Sequence, residues 1–248
     1  MQVAITSRIF QDLSLSEACR TASELEYDKL ELCFSEEKGD WSAARVGQDP
    51  ELFASKYYEM TRLTPVAFYV LYDIDRDDFK GLCKFAKKLK VTQITLPSSP
   101  VGAPYNTEVD RLKDFVAIAT QEGVRLSIKT ETGMLTEDPH TAVEICQAVK
   151  HLGLTFDPSY YLCNSTGKEL DYDMLLPHIF HVHLRDSSYD DLQVLTGLGH
   201  IDYNRLIAQL QSVNFNRTLS IDLLPERTPK ETRELELRKL RLLTESLL

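Results

Sequence analysis

The chain has 248 residues, 43% of them hydrophobic and 27% charged, enough for a sizeable core in one large α/β domain or two small ones. A formal net charge of -10 argues against nucleic acid as a partner, because binding a phosphate backbone needs a cationic stripe. Five scattered cysteines (Cys19, Cys33, Cys83, Cys146, Cys163) with no CxxC pair read as reduced thiols, and no apolar run approaches the ~18 residues of a membrane span.

The opening stretch, MQVAITSRIF, lacks the basic and long apolar regions of a signal peptide, so a cytoplasmic location is expected. A first strand is expected over Val3–Thr6. Ser14 and Glu17 then form a capping box at the start of a helix. A second strand follows over Lys29–Cys33. Tyr57 and Tyr58 read as helix packing, with covering the pocket or a dimer contact, shared with Trp41, as the other uses for these aromatics. The third strand is placed at Val66–Leu71. The basic run from Lys84 to Lys90 reads as the wet face of a helix rather than as an anion site.

Further strands are expected at Gln93–Leu96, Val124–Ile128, Gly153–Phe156, Ile179–Leu184 and Thr218–Ile221. Asp138 before Pro139 opens a helix between the fifth and sixth of these. Thr228, Pro229 and Glu231 supply N-cap, N1 and N3 for a closing Leu-rich helix. No Gly- or Ser-rich linker and no low-complexity tract interrupts the pattern, so residues 1–248 are read as one domain. Eight strand-helix units in this length predict a (β/α)8 TIM barrel, with a doubly wound open sheet as the competitor.

In a barrel the active site lies at the C-terminal strand ends. Those ends carry Glu31, Tyr72, Lys129, Glu131, Asp157, Tyr160, His183, Arg185, Asp186 and Asp222. Period-two alternation puts Lys129 and Glu131 on one face of their strand, and His181, His183 and Arg185 on one face of theirs. Each has a plainer reading. Asp157, followed by Pro158, is also a turn or cap residue, Asp222 is also a loop carboxylate, and a lone buried His is usually satisfied within a core. Gly197-Leu198-Gly199 lacks the third glycine of a dinucleotide fingerprint, so no nucleotide cofactor is expected.

The order of YDKLELC, VRLSIKTETG, LGLTFDPSYYLC, FHVHLRD with TGLGHIDY, and LSIDLL resembles the xylose-isomerase-like TIM barrels, a family of sugar and sugar-phosphate isomerases and epimerases. The resemblance implies a divalent metal (Mn, Mg or Zn) held by Glu, Asp, His and Glu from strands five to eight. Asp157 and His183 match the second and third of those ligands. Lys129 stands at the first Glu, Glu131 at the His two positions on, Tyr160 at a substrate-contacting His, and Asp222 at the last Glu.

Two readings of that centre follow. In one, the metal is lost. The family site sums to -1 with three carboxylates, a neutral His and a divalent ion, and Lys129 with Asp157 and Asp222 also sums to -1. A protonated lysine has no lone pair to give a metal, but between two carboxylates it replaces the ion electrostatically. In the other reading, Glu131 joins Asp157, His183 and Asp222 around the ion, against repulsion from Lys129 of about 3 kcal/mol per unit of the ion's charge at ~5 Å and an effective dielectric near 20.

The resemblance implies isomerase or epimerase activity on a small polyol or ketose. Catalytic roles would fall to Lys129, Glu131, Asp157 and His183, and substrate contacts to Glu31, Tyr72, Tyr160, His181 and Arg185. A Schiff base at Lys129 is disfavoured, since salt bridging keeps the amine protonated. The alternative is a non-catalytic carbohydrate- or protein-binding barrel. A small carbohydrate is the expected partner in either case, with a homo-oligomer compatible and no role for a membrane.

Overall fold

The computed structural model describes residues 1–36, 39–164 and 166–248. Eight parallel strands close into a barrel in chain order: β1 (Gln2–Thr6), β2 (Lys29–Phe34), β3 (Thr64–Val70), β4 (Gln93–Leu96), β5 (Arg125–Lys129), β6 (Leu152–Phe156), β7 (Ile179–Leu184) and β8 (Thr218–Ile221). β8 closes on β1 through the pairs Gln2–Thr218 to Ile5–Ile221. Helices lie between the strands: α1 (Leu15–Glu24), α2 (Ala43–Gln48), α3 (Pro50–Met60), α4 (Arg76–Lys88), α5 (Tyr105–Gln121), α6 (Pro139–Ala148), α7 (Pro158–Leu162), α8 (Tyr203–Ser212) and α9 (Lys230–Glu245). The expected (β/α)8 barrel is therefore the fold, and all eight expected strands are present. No helix among the described residues is long and apolar enough to cross a membrane.

Alternation along the strands sorts the side chains into two environments. One set, including Ile5, Leu30, Phe68, Ile94, Ile128, Leu154, Val182 and Leu219, is buried in the hydrophobic layer between barrel and helices. The other set points inward and is mostly polar. Gln93, Thr95, Ser127 and Thr155 are buried, with Thr155 Oγ1 2.7 Å from Thr95 Oγ1 and 2.6 Å from Ser127 Oγ. Barrel interiors are usually filled by branched apolar side chains, so these hydroxyls must satisfy one another.

The helix starts follow their capping residues. Ser14 and Glu17 make the reciprocal capping box, and Asp138 accepts from the Thr141 amide at the start of α6. At α9 the start differs by one residue from the sequence expectation. The N-cap is Pro229, and Thr228 instead donates its hydroxyl to the Leu224 carbonyl at 2.8 Å while accepting from Gln193. Lys84, Lys87, Lys88 and Lys90 are exposed on or just past α4, as expected of its wet face. Tyr57 is fully buried, whereas Tyr58 is exposed.

Four helix ends share one device. After α1, α4, α5 and α8 the chain closes with paired backbone bonds such as Tyr27 N to Ala22 O and Glu26 N to Ser23 O. The residue turning the corner is left-handed in each case: Glu26, Lys90, Gly123 and Asn214. This device launches β2, β4, β5 and the run into β8.

Candidate functional site

The ends of β5 to β8 bring four charged side chains to one point. Lys129 ends β5, and its Nζ lies 2.9 Å from Asp222 Oδ2 and 3.4 Å from Asp157 Oδ2. Arg185, just past β7, places its Nη2 2.7 Å from the same Asp222 oxygen and 2.9 Å from the same Asp157 oxygen. Its Nε donates to the Asp222 carbonyl and its Nη1 to Ser159 Oγ. Asp157 is also the N-cap of α7, accepting from the Ser159 amide, so the turn reading and the site reading both hold. Both carboxylates, Lys129, His183 and Arg185 are at most 1% exposed.

A second group adjoins the first through His183. Glu31 on β2 accepts from His181 Nε2 at 2.9 Å and from His183 Nε2 at 3.1 Å, while His183 Nδ1 faces Asp222 Oδ2 at 3.4 Å. Ser220 Oγ is 3.0 Å from His181 Nε2.

The charge states follow from these contacts. Burial opposes the ammonium of Lys129, but Asp222 and Asp157 outweigh it and hold its pKa well above the usual lysine range. Burial opposes the Asp222 carboxylate too, and the cations Lys129, Arg185 and Arg8 outweigh it, holding it well below the usual carboxylate range. Burial pushes the His183 imidazole below its usual value, with Lys129 adding to the effect and Glu31 opposing it. Burial likewise opposes the Glu31 carboxylate, and its two imidazole partners overcome that to keep it ionised. Since ionised Glu31 only accepts hydrogen bonds, the neutral His183 carries its proton on Nε2 and a lone pair on Nδ1. That Nδ1 is buried and has no hydrogen-bond partner among the described residues.

Tyr160, 9% exposed, lies over both cations, with its ring centre 5.7 Å from Lys129 Nζ and 5.5 Å from the Arg185 guanidinium carbon. Its hydroxyl donates to Glu131 Oε1 at 3.2 Å. Glu131 itself stands outside the cluster. β5 stops at Lys129, and Glu131 opens a turn closed by Met134 N to Glu131 O, with Gly133 at φ +83. Thr130 still pairs with β6 through its amide to the Thr155 carbonyl at 3.0 Å, and Glu131 is the first residue of the turn. Tyr72 is not brought in either. It packs partly on the core beyond β3, where the carboxylates raising its pKa after burial are Asp78, Asp75 and Glu36. Asp186 anchors a loop, accepting from the Gly197 and Gly199 amides, and a Cβ at Gly199 would lie 1.9 Å from its Oδ1.

Sequence reasoning missed three contributors. Thr6, ending β1, donates to Asp222 Oδ1 at 3.1 Å. Arg8, in the 3-10 turn after β1, places Nη1 3.7 Å from Asp222 Oδ2. Tyr69 on β3 presents its ring 4.7 Å from Lys129 Nζ. Thr6 ends the first expected strand and Ser7-Arg8 directly follow it, so the strand-end rule that found the others also covers them. Beside Arg8, at the C-terminal ends of β1 and β2, lies a cavity of about 550 Å³.

A family model described as xylose isomerase-like TIM barrel matches residues 71–243, more than half of the chain. The chain belongs to that family. No curated protein matches it by sequence. Among solved structures it is similar to a xylose isomerase domain protein from Alicyclobacillus acidocaldarius, at 16% identity and TM-score 0.78, covering 100% of this chain and 98% of the other. It is also similar to a D-allulose 3-epimerase from Methylomonas sp., at 10% identity and TM-score 0.74, covering 100% and 98%. A probable 3-DHS dehydratase from Bacillus anthracis is similar at 16% identity and TM-score 0.72, covering 98% and 99%. At these identities the likeness is one of fold.

Barrels of this family hold a divalent ion, and two groupings here have ligand-type atoms within 4.8 Å of one another: Asp157, His183 and Asp222, and Glu31, His181 and His183. As arranged, neither fits the ion. In the first, Asp157 Oδ2 and Asp222 Oδ2 already face both Lys129 and Arg185. A divalent ion joining them would meet each fixed cation at about 8 kcal/mol of repulsion, for a ~4 Å separation and an effective dielectric near 20. In the second, the two Nε2 atoms that approach Glu31 carry protons and offer no lone pair.

Proposed function

We propose that the chain is a metal-independent member of its family that takes a small polyol or ketose at the C-terminal mouth of the barrel. Lys129 stands in for the ion, with Arg185 completing the charge balance around Asp157 and Asp222. The observation that carries this reading is the shared grip of Lys129 Nζ and Arg185 Nη2 on the same two carboxylate oxygens. The unpartnered Nδ1 of His183 is then a former ligand atom with no ion to hold. In this state the cluster is structural. It shapes and polarises the floor of the mouth, and its buried charges are not free to shuttle protons.

A second reading, an isomerase or epimerase working by proton transfer beside a carbonyl, is favoured by one pair. Glu131 is a site carboxylate with solvent access, and the Tyr160 hydroxyl orients it at 3.2 Å. In that reading Glu131 is the base and the Lys129 ammonium behind Tyr160 supplies positive potential for a developing enolate.

Metal analysis and proton exchange test the two parts. After incubation with Mn and desalting, the wild type is expected to retain no stoichiometric ion, whereas Lys129→Glu should retain about one per chain and gain thermal stability with Mn. One retained ion in the wild type would sink the metal-independent reading. Wash-in of deuterium from solvent into ketoses, abolished by Glu131→Gln, would establish the catalytic reading. Saturable sugar binding without wash-in across a broad ketose panel would leave a binding protein.

A further inference from the structure

We infer that the cavity beside β1 and β2 binds a small polyhydroxylated monocarboxylate, a sugar acid, through the guanidinium of Arg8. This deepens the polyol reading and rests on it. The cavity, about 550 Å³, falls within the range of small-molecule sites. Its lining combines Arg8, Ser7, Gln11 and Ser35 with the aromatic Phe34 and Trp41. Hydroxyl and amide groups suit a polyol, and the aromatic wall suits the C–H face of a carbon chain or ring.

The charge arrangement selects the anion. Three cations surround two carboxylates: Lys129 and Arg185 within 3.4 Å of both Asp157 and Asp222, and Arg8 3.7 Å from Asp222 alone. Arg8 is thus the cation of this set with a single carboxylate contact. Lys129 and Arg185 are sealed at 1% and 0% side-chain exposure, while Arg8 is 20% exposed and lines the cavity. At 3.7 Å from Asp222, Arg8 makes a charge contact but no hydrogen bond, so its planar set of donors remains for a ligand among the described residues. One partly exposed guanidinium fork matches a carboxylate. A phosphate dianion would leave a negative charge uncompensated. Asp12 also lines the cavity, but its carboxylate is held by Lys230 and Arg233, each at 2.8 Å. Ser7 Oγ accepts from the Cys33 amide at 2.8 Å, which leaves its own proton for a ligand oxygen.

Calorimetric titration of the intact protein with sodium D-gluconate, D-sorbitol, sorbitol 6-phosphate and sodium acetate tests the assignment. Gluconate should bind about tenfold or more tighter than sorbitol, and Arg8→Gln should erase that difference while leaving sorbitol within about twofold. Arg8→Lys, which keeps the charge and loses the fork, should recover only part of it. Gluconate no tighter than sorbitol, or an Arg8→Gln protein that still prefers gluconate, overturns the sugar-acid assignment while the polyol reading stands. Sorbitol 6-phosphate as the tightest ligand, or acetate matching gluconate, overturns it as well. Binding of none of the polyols overturns both. Thermal melts check that the variants fold. Should Arg8→Gln fail, Ser35→Trp on the exposed rim should block gluconate, and unaltered binding in that variant counts against the site.

Discussion

Asp222 is held by Lys129 at 2.9 Å in a pocket where both side chains are essentially without solvent contact. Such a pair is costly to bury and more costly to break, because removing one partner leaves an unpaired charge in the interior. Lys129→Met is therefore expected to destabilise the fold by about 3–5 kcal/mol, read from the urea midpoint at unchanged slope. The double variant Lys129→Met with Asp222→Asn should recover part of that loss. A single variant as stable as the wild type would mean that Arg185 and Arg8 neutralise the carboxylates unaided.

Stability should fall on both sides of neutrality, and the groups responsible differ. The folded-state pKa of His183 is depressed, so its contribution is present at neutral pH and begins to be lost as pH drops below about 6.5. Asp222 and Glu31 are depressed as well, and their contributions are lost as pH falls from about 4 towards their folded values. Lys129 is raised. Its contribution is complete below about 10.4 and is lost only as pH climbs through the higher folded value. Denaturation midpoints across pH should thus show a plateau from near neutrality to about 8.5, above which the buried thiols of Cys19 and Cys146 resist ionisation, with the acid limb steepest in the carboxylate range. Asp222→Asn should flatten that limb.

Tyr160→Phe separates positioning from structure. The change removes the hydroxyl bond to Glu131 and keeps the ring over both cations. Stability should shift by only about 1 kcal/mol, the net worth of one hydrogen bond. If Glu131 moves protons, the wash-in rate should fall and its pH profile should shift, because the carboxylate loses its donor. An unchanged profile would assign Tyr160 to covering the cation pair alone.

Most of the barrel was legible because its strands alternate so plainly. Residues such as Ile94, Leu126 and Leu154 face the helices while Thr95, Ser127 and Thr155 face inward, and this sets period two apart from the helical pattern. Helix starts with side-chain caps were readable, as at Ser14 and Asp138. Helix ends were not, since the left-handed corner falls on Glu26, Lys90 and Asn214 where glycine would have signalled it. The strand-end rule located Lys129, Asp157, His183 and Asp222. Glu131, past the last residue of β5, is tied to the site through the Tyr160 hydroxyl. Arg8 was passed over because a two-residue step beyond β1 carries no periodic mark. Nothing in the sequence distinguished a lysine that contacts substrate from one locked between two aspartates.

Beneath the charged layer, Thr95, Ser127 and Thr155 form a closed triangle of hydroxyls at 2.7, 2.6 and 3.4 Å, with the Gln93 amide donating into it at 2.6 Å. Each hydroxyl has one proton to give and lone pairs to receive with, so the orientation of one bears on its neighbours. Replacing one member with an alkyl group strands its neighbours, whereas replacing all three removes the demand altogether. The single and triple substitutions should therefore be strongly non-additive, with the three-fold alkyl barrel less impaired than the sum of its parts. The inner wall of β4 to β6 behaves as one residue spread over three strands.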